Sequence, residues 1–319
     1  MTRKIGLAFS EWQVEQVERI RAAATGFELV DLAGKYSDED LADCEIIFGH
    51  ITPDIIKAAK NLKWVHILLA GADYYLRPEF NLPESLILTN SSGAYGVGIS
   101  EHLITVTMML LRKMNEYSRL QFQNTWKGLG TVRTLYQSYV TVVGLGDIGG
   151  NYAMRCHALG AKVKGVVRNE RAEKPDYIES LFTVERIDEA LDGADIIALC
   201  LPGTRETFNL LSKQRLSALK KGAIILNIGR GSAIEQNALV ELLETGHLGG
   251  AGLDVTTPEP LPPDSKLWNM PNVVITPHIS SGMSLELTLN LIVDKFVKYL
   301  GDYIAGRKFS HVVDRNLGY

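Results

Sequence analysis

Short apolar runs alternate with amphipathic stretches along the first ninety residues. The runs predicted to be strands are residues 4–9, 27–32, 45–49, 62–68 and 86–89. Residues 11–24 have the apolar spacing of a helix, and Thr52-Pro53 supplies the cap and first-turn proline of another. Strands that alternate with helices are typical of a parallel sheet covered by helices on both faces.

A long and almost wholly apolar stretch, residues 98–114, separates this series from a second one. A helix this apolar must be buried on most sides, which indicates a domain junction or a subunit interface. Residues 121–135 are then expected to form an irregular arm. The second series predicts six strands, at residues 139–143, 162–167, 196–199, 223–228, 251–255 and 273–276. Six strands would complete a dinucleotide-binding sheet, and the amphipathic helix 285–304 is expected to return to the first domain.

One glycine-rich turn lies between the first two strands of the second series. Gly144, Gly146 and Gly149 form a G-x-G-x-x-G pattern after a β-branched strand, and residues 151–159 then have the character of a helix. The first glycine allows a tight turn, the second lets the backbone approach a pyrophosphate, and the third packs helix on strand. Phosphate would bind the unpaired N–H groups at the helix N-terminus. The bare pattern also fits an ordinary strand-to-helix turn, but its place between strand, helix and strand favours a dinucleotide site.

Composition restricts the classes of function. A chain of 319 residues, 46% of them hydrophobic, is long enough for two domains with separate cores. Its net charge of −4 offers no basic face for nucleic acid or anionic lipid. Cys44, Cys156 and Cys200 are too few and too scattered for a disulfide framework or a metal cluster, so we expect buried thiols and no metal. No apolar run has the length of a signal peptide or a membrane span, so we expect a cytoplasmic protein without a membrane partner.

Three polar residues stand just beyond predicted strands, where open α/β sheets carry their chemistry. Arg230 follows one strand, Glu259 lies in the segment after the next, and His278 follows the last. Taken singly, each has an ordinary explanation: a capping arginine, a solvated glutamate between prolines, and a loop histidine. Together they form a candidate active site.

The sequence resembles the D-isomer-specific 2-hydroxyacid dehydrogenase family, in its glyoxylate/hydroxypyruvate reductase-like branch. The resemblance covers almost the whole chain and is carried by five motifs in the family's order: Gly144-Leu-Gly-Asp-Ile-Gly149, Leu201-Pro-Gly-Thr-Arg-Glu-Thr207, Asn227-Ile-Gly-Arg-Gly231, Gly252-Leu-Asp-Val-Thr-Thr-Pro-Glu-Pro260 and Thr276-Pro-His278. It implies an α/β protein with two doubly wound parallel-sheet domains. A Rossmann cofactor domain, residues 96–284, would be inserted in a flavodoxin-like substrate domain, residues 1–95 plus 285–319. The family also implies a homodimer that pairs through the cofactor domain.

The resemblance implies a reaction and a role for individual residues. The reaction is hydride transfer between NAD(P)H and a small 2-oxo acid, giving the D-2-hydroxy acid. Arg230 would bind the substrate carboxylate and polarise its carbonyl, His278 would supply the proton, and Glu259 would favour the charged imidazole. Asp254 would orient the nicotinamide carboxamide, with a turn or cap role as the alternative. The implied cofactor contacts are Gly144, Gly146, Asp147, Ile148, Gly149, Arg168, Leu201, Pro202, Thr207, Ile228, Gly229, Arg230, Asp254 and His278.

A turn in the first domain completes the implied substrate site. Ala70, Gly71 and Ala72 look like the family's carboxylate-binding turn, where glycine lets N–H groups approach an anion; an ordinary tight turn is the alternative. Tyr74 and Tyr75 would narrow the pocket and favour short substrates such as glyoxylate or hydroxypyruvate. Residues 279–281 depart from the bulkier sequence of several family branches and leave one pocket wall undefined. Hinges for domain closure are expected near residues 90–98 and 280–284.

The cofactor choice depends on the end of the second strand of the glycine-rich unit. NAD-binding Rossmann domains carry Asp or Glu there, whereas this chain has Arg168, in Arg168-Asn-Glu-Arg171. Guanidinium groups suit a 2′-phosphate, so we expect NADPH to be favoured and NAD to be possible; a solvated arginine is the alternative.

Thr204 and Thr207 would cap the next helix or touch the cofactor, and capping is the preferred interpretation. The alternative function is a dinucleotide-binding sensor or corepressor with little turnover.

Overall fold

Two parallel sheets with flanking helices organise the chain. The computed structural model describes residues 3–34, 36–283 and 285–318. The chain separates into two compact units, Met1–Tyr95 with Met283–Tyr319, and Gly96–Gly282. The predicted α/β class with two doubly wound parallel sheets is confirmed. Ser284, the predicted end of the second domain and of one hinge, lies outside the described residues, as do the chain ends Met1 and Tyr319.

The sheet of the first unit has a flavodoxin-like strand order. Its strands are β1 (Arg3–Ala8), β2 (Phe27–Asp31), β3 (Cys44–Gly49), β4 (Trp64–His66) and β5 (Ile87–Thr89). The described pairs are parallel, in the order β2-β1-β3-β4-β5. β3 is buried along its whole length, as expected for a central strand covered on both faces.

The sheet of the second unit has the strand order of a dinucleotide-binding fold with one strand added. Its strands are β6 (Tyr139–Val143), β7 (Lys162–Val167), β8 (Ser180–Thr183), β9 (Ile196–Leu199), β10 (Ile224–Asn227), β11 (Gly250–Leu253) and β12 (Val273–Ile275). The parallel order is β12-β11-β10-β9-β6-β7-β8. β6 therefore lies between β7 and β9, where the strand order reverses, and open α/β sheets bind their ligands at this point.

The prediction of six strands missed β8. This strand pairs in parallel with β7 at the edge of the sheet, with Phe182 opposite Val166. Its four residues are all only half-buried. A short edge strand of this kind lacks the continuous apolar run that marked the other strands.

Helices connect the strands in both units. They are α1 (Val14–Ala23), α2 (Asp38–Ala42), α3 (Pro53–Ala58), α4 (Gly96–Leu111), α5 (Met114–Phe122), α6 (Asp147–Ala158), α7 (Ile187–Leu191), α8 (Lys213–Ala218), α9 (Gln236–Glu244) and α10 (Glu286–Ile304). α3 begins as predicted, because Thr52 Oγ1 accepts a hydrogen bond from the Ile55 N–H at 3.2 Å. None of the described helices combines the length and the apolar character needed to span a membrane.

The apolar helix predicted over residues 98–114 ends earlier than expected. Lys113 has a left-handed φ of 56° and redirects the chain from α4 into α5. The apolar side of α4 packs within the second unit, since Thr107 Oγ1 lies 2.8 Å from the Tyr152 hydroxyl of α6. The irregular arm follows after Phe122 rather than from residue 121, and no helix or strand is described between α5 and β6.

Aromatic packing joins α10 to the sheet of the first unit. The Phe296 ring stacks on Phe48 of β3, with ring centroids 4.0 Å apart, and on Trp64 of β4 at 5.2 Å. The cysteines are free thiols. Cys44 and Cys156 are buried as predicted, whereas Cys200, which directly follows β9, is only partly buried. Burial raises the pKa of Cys44 to about 11 and that of Cys156 to about 12, so both stay protonated.

Candidate active site

The glycine-rich turn connects β6 to α6 where the strand order reverses. An added Cβ on Gly149 would lie 1.9 Å from the Gly144 carbonyl oxygen, and one on Gly144 would lie 2.4 Å from the Cys200 carbonyl oxygen beyond β9. Both positions therefore need glycine for the close approach of helix, turn and neighbouring strand. A Cβ on Gly146 would meet no described atom within 4 Å. The N-terminus of α6 is thus open to an anion, and the turn fits the pyrophosphate of a dinucleotide.

Asp147 is the first residue of α6, and its side chain is turned toward α4. Asn151 Nδ2 donates to the Asp147 carbonyl oxygen at 2.9 Å and to its Oδ1 at 3.3 Å. A Cβ on Gly96 of α4 would lie 2.2 Å from this Oδ1, and Oδ2 is buried with no hydrogen-bond partner among the described residues. Asp147 and Ile148 are in the first turn of α6, where backbone N–H groups have no acceptor within the helix. Their N–H groups are therefore the donors that these residues can offer to a phosphate.

Two arginines lie where β7 meets the glycine-rich turn. Arg168 directly follows β7, and its Nη2 lies 3.0 Å from Glu206 Oε1. Arg171 Nη2 donates to the Leu145 carbonyl oxygen, inside the turn itself, at 3.1 Å. Arg168 therefore stands at the position where an NAD-binding domain carries a carboxylate, and Arg171 lies beside the glycine-rich turn.

A reciprocal pair of threonines shapes the loop after β9. Thr204 Oγ1 accepts from the Thr207 N–H at 3.2 Å, Thr207 Oγ1 accepts from the Thr204 N–H at 2.9 Å, and the Thr207 hydroxyl donates to the Pro202 carbonyl at 2.8 Å. The preferred prediction that these threonines cap the next helix was wrong, because the side chain of Ser212 caps α8. The pair instead closes the turn that carries Glu206.

The other predicted cofactor contacts lie on two loops at the same edge of the sheet. Leu201 and Pro202 follow β9, and Ile228 and Gly229 follow β10. A Cβ on Gly229 would lie 2.5 Å from the Leu201 carbonyl oxygen. The two loops are therefore in direct contact.

Arg230 lies on the loop after β10, and the buried Asn227 shapes that loop. Asn227 Nδ2 donates to the Arg230 carbonyl at 2.9 Å, and its Oδ1 accepts from the Gly229 N–H at 3.1 Å. The Arg230 guanidinium donates to the Gly229 carbonyl at 2.7 Å. A Cβ on Gly231 would lie 2.0 Å from the Thr256 carbonyl oxygen, so this loop packs against the one that carries Glu259.

Glu259 and His278 are in direct contact. His278 Nδ1 lies 3.0 Å from Glu259 Oε2, and both side chains are partly exposed. Glu259 Oε1 accepts from the Thr256 N–H at 3.0 Å, so the carboxylate is fixed on both sides. His278 has a left-handed φ of 54°. With Nδ1 directed at Glu259, Nε2 is the ring nitrogen that can exchange a proton with a substrate.

The buried Asp254 organises the segment that follows His278. Its Oδ1 accepts from the Thr276 hydroxyl at 2.6 Å and from the Ile279 N–H at 2.9 Å, and its Oδ2 accepts from the Ser280 N–H at 3.0 Å. Burial raises the pKa of Asp254, but these hydrogen bonds outweigh burial and hold the pKa below its ordinary value. The turn role that the sequence left open for Asp254 is present in the structure.

The sequence analysis gave no role to several residues that position the site, although Asn227 and Thr276 stand in two of its motifs. Thr276 Oγ1 also lies 3.3 Å from His102 Nε2 on α4. Gln236 makes two hydrogen bonds to the backbone of Thr257. Gln236 Nε2 donates to the Thr257 carbonyl at 2.7 Å, and Gln236 Oε1 accepts from the Thr257 N–H at 2.9 Å. The one available signal was a polar residue such as His102 or Asn227 within an otherwise apolar run.

The predicted carboxylate turn follows β4 in the first unit. Asn90 Nδ2 donates to the Ala70 carbonyl at 2.7 Å, and the Tyr75 N–H donates to the Ala72 carbonyl at 2.9 Å. Ala72 is buried, whereas Ala70 and Gly71 are half-buried. The turn is thus fixed at both ends by hydrogen bonds.

The two tyrosines after this turn have different surroundings. Tyr75 is buried, and its hydroxyl lies 3.0 Å from His50 Nδ1. Tyr74 is 48% exposed and packs edge-on against Phe80, beneath the guanidinium of Arg77. Of these two tyrosines, Tyr75 is therefore the one that belongs to the core of the first unit.

Comparison with known proteins identifies the family. Residues 104–280 match the model of the D-isomer specific 2-hydroxyacid dehydrogenase NAD binding domain. The chain is 30% identical over 264 residues to glyoxylate/hydroxypyruvate reductase A of Serratia proteamaculans, covering 81% of this chain and 82% of the relative. It is also 30% identical over 283 residues to D-3-phosphoglycerate dehydrogenase of Synechocystis, covering 88% of this chain but 49% of that longer relative. It thus spans about half the length of that relative.

A solved structure agrees over the whole chain. The NADPH-dependent glyoxylate/hydroxypyruvate reductase of Sinorhizobium meliloti, in complex with NADP and sulfate, superimposes with a TM-score of 0.84 at 27% identity and covers 100% of both chains. The family match and the strand order define the class of protein as an NAD(P)-dependent oxidoreductase. The chain belongs to the D-isomer specific 2-hydroxyacid dehydrogenase family. The resemblance to its glyoxylate/hydroxypyruvate reductase-like branch is confirmed.

Proposed function

We propose that the protein reduces small 2-oxo acids of the glyoxylate and hydroxypyruvate type to D-2-hydroxy acids, with NADPH as the favoured reductant. The observation that carries the proposal is the Glu259–His278 contact at the edge of the same sheet whose glycine-rich turn fits a dinucleotide. The second unit is then the cofactor domain and the first unit the substrate domain.

The three side chains of the candidate active site have separate tasks. The nicotinamide, when bound, supplies a hydride to the carbonyl carbon. His278 donates a proton from Nε2 to the carbonyl oxygen, while Glu259 orients the ring through Nδ1 and balances its positive charge. Arg230 binds the substrate carboxylate through its planar fork of donors and stabilises the negative charge that develops on the carbonyl oxygen.

Three observations support the preference for NADPH. Arg168 directly follows β7 and Arg171 contacts the glycine-rich turn, and guanidinium groups suit a phosphate dianion better than a ribose hydroxyl. The reductase of S. meliloti, which superimposes on this chain, was solved with NADP. Asp147 adds no competing charge at the opening near Gly146, because its side chain is turned toward α4.

The substrate class follows from the names of relatives and from the turn in the first unit. The backbone of Ala70, Gly71 and Ala72 would hold the substrate carboxylate, and the S. proteamaculans relative is a glyoxylate/hydroxypyruvate reductase. The Synechocystis relative is a D-3-phosphoglycerate dehydrogenase. A phosphorylated three-carbon acid is therefore the main alternative substrate.

The test is NADPH oxidation by purified protein with a panel of glyoxylate, hydroxypyruvate, pyruvate, 3-phosphohydroxypyruvate and a branched 2-oxo acid. We expect the first two to give the highest kcat/KM and the product to be the D-enantiomer. A higher value with the phosphorylated or branched acid would overturn the substrate class. Tight NADPH binding without turnover of any acid would overturn the reductase and favour a dinucleotide sensor.

We also propose a homodimer that pairs through the second unit. Met108 of α4, Phe122 of α5 and Trp126 of the arm are exposed apolar side chains of that unit. Light scattering during gel filtration should give twice the mass of one chain, and the mass of a single chain would contradict the proposal.

A cytoplasmic location is part of the proposal as well, because free thiols suit a reducing compartment. Cell fractionation tests this location.

A further inference from the structure

The loop after β9 carries a charged residue to which the proposed function gives no task. This residue is Glu206, and its Oε1 lies 3.0 Å from Nη2 of Arg168, the first residue after β7. The two residues are 38 positions apart in the chain. They meet because β7 and β9 both pair in parallel with β6, so the loops that follow them leave the sheet at one edge. A carboxylate therefore lies beside the guanidinium at the position that decides the cofactor.

The turn that carries Glu206 is held in shape by the two threonines on either side of it. Each hydroxyl of Thr204 and Thr207 accepts a hydrogen bond from the backbone N–H of the other residue. The Thr207 hydroxyl also donates to the Pro202 carbonyl at 2.8 Å, at the start of the loop. The backbone is thus fixed before and after Glu206. The threonines that do not cap α8 therefore have another task, which is to present Glu206 to Arg168.

The contact between Arg168 and Glu206 is open to solvent. The side chain of Arg168 is 40% exposed and that of Glu206 is 65% exposed. An ion pair in such surroundings contributes little, because water screens the charges and two long side chains lose freedom. A phosphate dianion carries more charge than a carboxylate and suits the planar guanidinium equally well. Arg168 can therefore exchange Glu206 for a 2′-phosphate at small cost.

Glu206 also brings to this site the group that NAD-binding domains use. Those domains carry a carboxylate at the end of the second strand, where it accepts a hydrogen bond from the ribose 2′-hydroxyl. In this chain Arg168 occupies that position, and the carboxylate comes from the loop after β9 instead. A carboxylate has two oxygens, so it can hold a guanidinium and accept from a hydroxyl at the same time. A 2′-phosphate in the place of that hydroxyl would be repelled by it.

We propose that Glu206 is a specificity-determining residue that acts against Arg168. It competes with a 2′-phosphate for the Arg168 guanidinium, and it accepts a hydrogen bond from the ribose hydroxyl of NADH. The inference rests on the proposed function and deepens it. NADPH replaces the ion pair by an Arg168–phosphate pair, whereas NADH leaves the ion pair in place. The chain itself thus limits the preference for NADPH and keeps NADH as a usable cofactor.

Calorimetric titration tests the inference without turnover. The dissociation constants of NADPH, NADH, 2′,5′-ADP and 5′-AMP are measured for wild type, Glu206→Gln and Glu206→Ala. Glu206→Gln keeps the shape of the side chain but removes its charge. NADPH and 2′,5′-ADP should then bind about 2- to 5-fold more tightly, the worth of one exposed ion pair. Glu206→Ala should in addition weaken NADH and 5′-AMP, because no acceptor remains for the ribose hydroxyl.

Two further sets of variants test the partner of Glu206 and the turn that presents it. In an Arg168→Gln background, Glu206→Gln should not tighten NADPH, because no guanidinium is left to compete for. Thr207→Val removes the hydroxyl that closes the turn, so it should shift the preference toward NADPH, as Glu206→Gln does. Thr207→Ser keeps the hydroxyl and should restore the wild-type preference.

Glu241→Gln is the matched control, since Glu241 forms an exposed ion pair with Lys213 in the same unit. Its four dissociation constants should equal those of wild type. An unchanged preference in Glu206→Gln, or equal weakening of both dinucleotides, would overturn the inference. A gain of the same size in the Arg168→Gln background would also overturn it, because Glu206 would then act on the phosphate without Arg168.

The same titrations separate this inference from the proposed function. No 2-oxo acid is present, so a protein that turns over none of these acids can still satisfy the inference. A wild-type protein that binds both dinucleotides equally would contradict the proposed cofactor preference, while a preference for NADPH created by Glu206→Gln would support the inference. Absence of binding of either dinucleotide would overturn both.

Discussion

His278 and Glu259 are joined by a 3.0 Å contact although they are 19 residues apart in the chain. The contact exists because β11 and β12 are parallel neighbours, with Leu253 opposite Ile275, so their following segments leave the sheet at one edge. The Asp254 carboxylate then ties down the backbone just beyond His278. The His278 imidazole and the Glu259 carboxylate are therefore oriented by the fold itself.

Removing the imidazole should separate chemistry from cofactor binding. His278→Ala should lower kcat by about 10²–10⁴, the usual contribution of a general acid, while the dissociation constant of NADPH stays close to that of wild type. Glu259→Gln keeps an oxygen acceptor for the ring but removes the charge, so its loss should be smaller. Single-turnover kinetics and fluorescence titration with NADPH check both. Unchanged turnover in His278→Ala would remove this residue from the mechanism.

Changing the charge at the end of β7 should change the cofactor preference. Arg168→Asp removes the proposed partner of the 2′-phosphate and places a carboxylate where NAD-binding domains carry one. The NADPH-to-NADH ratio of kcat/KM should fall by about 10- to 100-fold, since a hydrogen bond to a charged group contributes about 1.5–3 kcal/mol. Calorimetric titration with 2′,5′-ADP and 5′-AMP measures the same preference without turnover.

Arg186→Gln is the control for this substitution, because Arg186 lies in the same unit and is ion-paired with Glu189 on the surface. Its cofactor ratio should not move. Equal or better turnover of NADH than of NADPH by the wild-type protein would contradict the proposed preference.

The hydroxyl of Thr276 should support catalysis without touching the substrate. Thr276→Val removes the 2.6 Å hydrogen bond to the buried Asp254, and the loop beyond His278 should lose its fixed position. We expect kcat to fall about 10-fold or more, in line with the loss of a hydrogen bond to a charged group. Thr276→Ser keeps the hydroxyl and should recover the rate. Equal rates in the Val and Ser variants would show that the hydroxyl has no such role.

The sequence located most strands because the buried ones carry continuous apolar runs. Residues 162–167 and 196–199 were predicted as strands and are observed as Lys162–Val167 and Ile196–Leu199. β8 was missed because its half-buried residues at the sheet edge carry no such run. The break at Lys113 was also missed, since nothing in an apolar helix marks a left-handed residue in advance.

The candidate catalytic residues could be found from the sequence because they follow strands and fall in family motifs. The roles of the residues that position them could not be predicted, even where the residues stand in the same motifs. Asn227, Gln236 and Thr276 act through hydrogen bonds to loops whose proximity only the folded sheet establishes. The caps predicted at Thr204 and Thr207 failed for a related reason, because the two side chains bond to each other and not to α8.

The carboxylate of Glu45 should link the stability of the first unit to acid pH. Arg3 donates two hydrogen bonds to it, at 3.0 and 2.9 Å, and the Tyr303 hydroxyl donates a third at 2.6 Å. The Arg3 hydrogen bonds lower the pKa of Glu45 to about 2, although burial raises it. The pKa in the folded state is thus below the unfolded value of 4.5. The stabilisation is therefore complete above that value and is lost as the pH falls toward about 2.

Glu45→Gln should lower the free energy of unfolding by roughly 1–3 kcal/mol near neutral pH, the upper end being reduced because the Arg3 side chain is partly exposed. The difference from wild type should shrink as the pH falls below the pKa of the carboxyl group in the unfolded chain. Protonation then removes the same charge from the wild-type protein. Urea unfolding at a series of pH values measures it. Glu18→Gln, which breaks only the exposed pair with Arg21, should change stability by less than about 1 kcal/mol throughout. A Glu45→Gln deficit that does not depend on pH would show that the carboxylate contributes through packing and not through its charge.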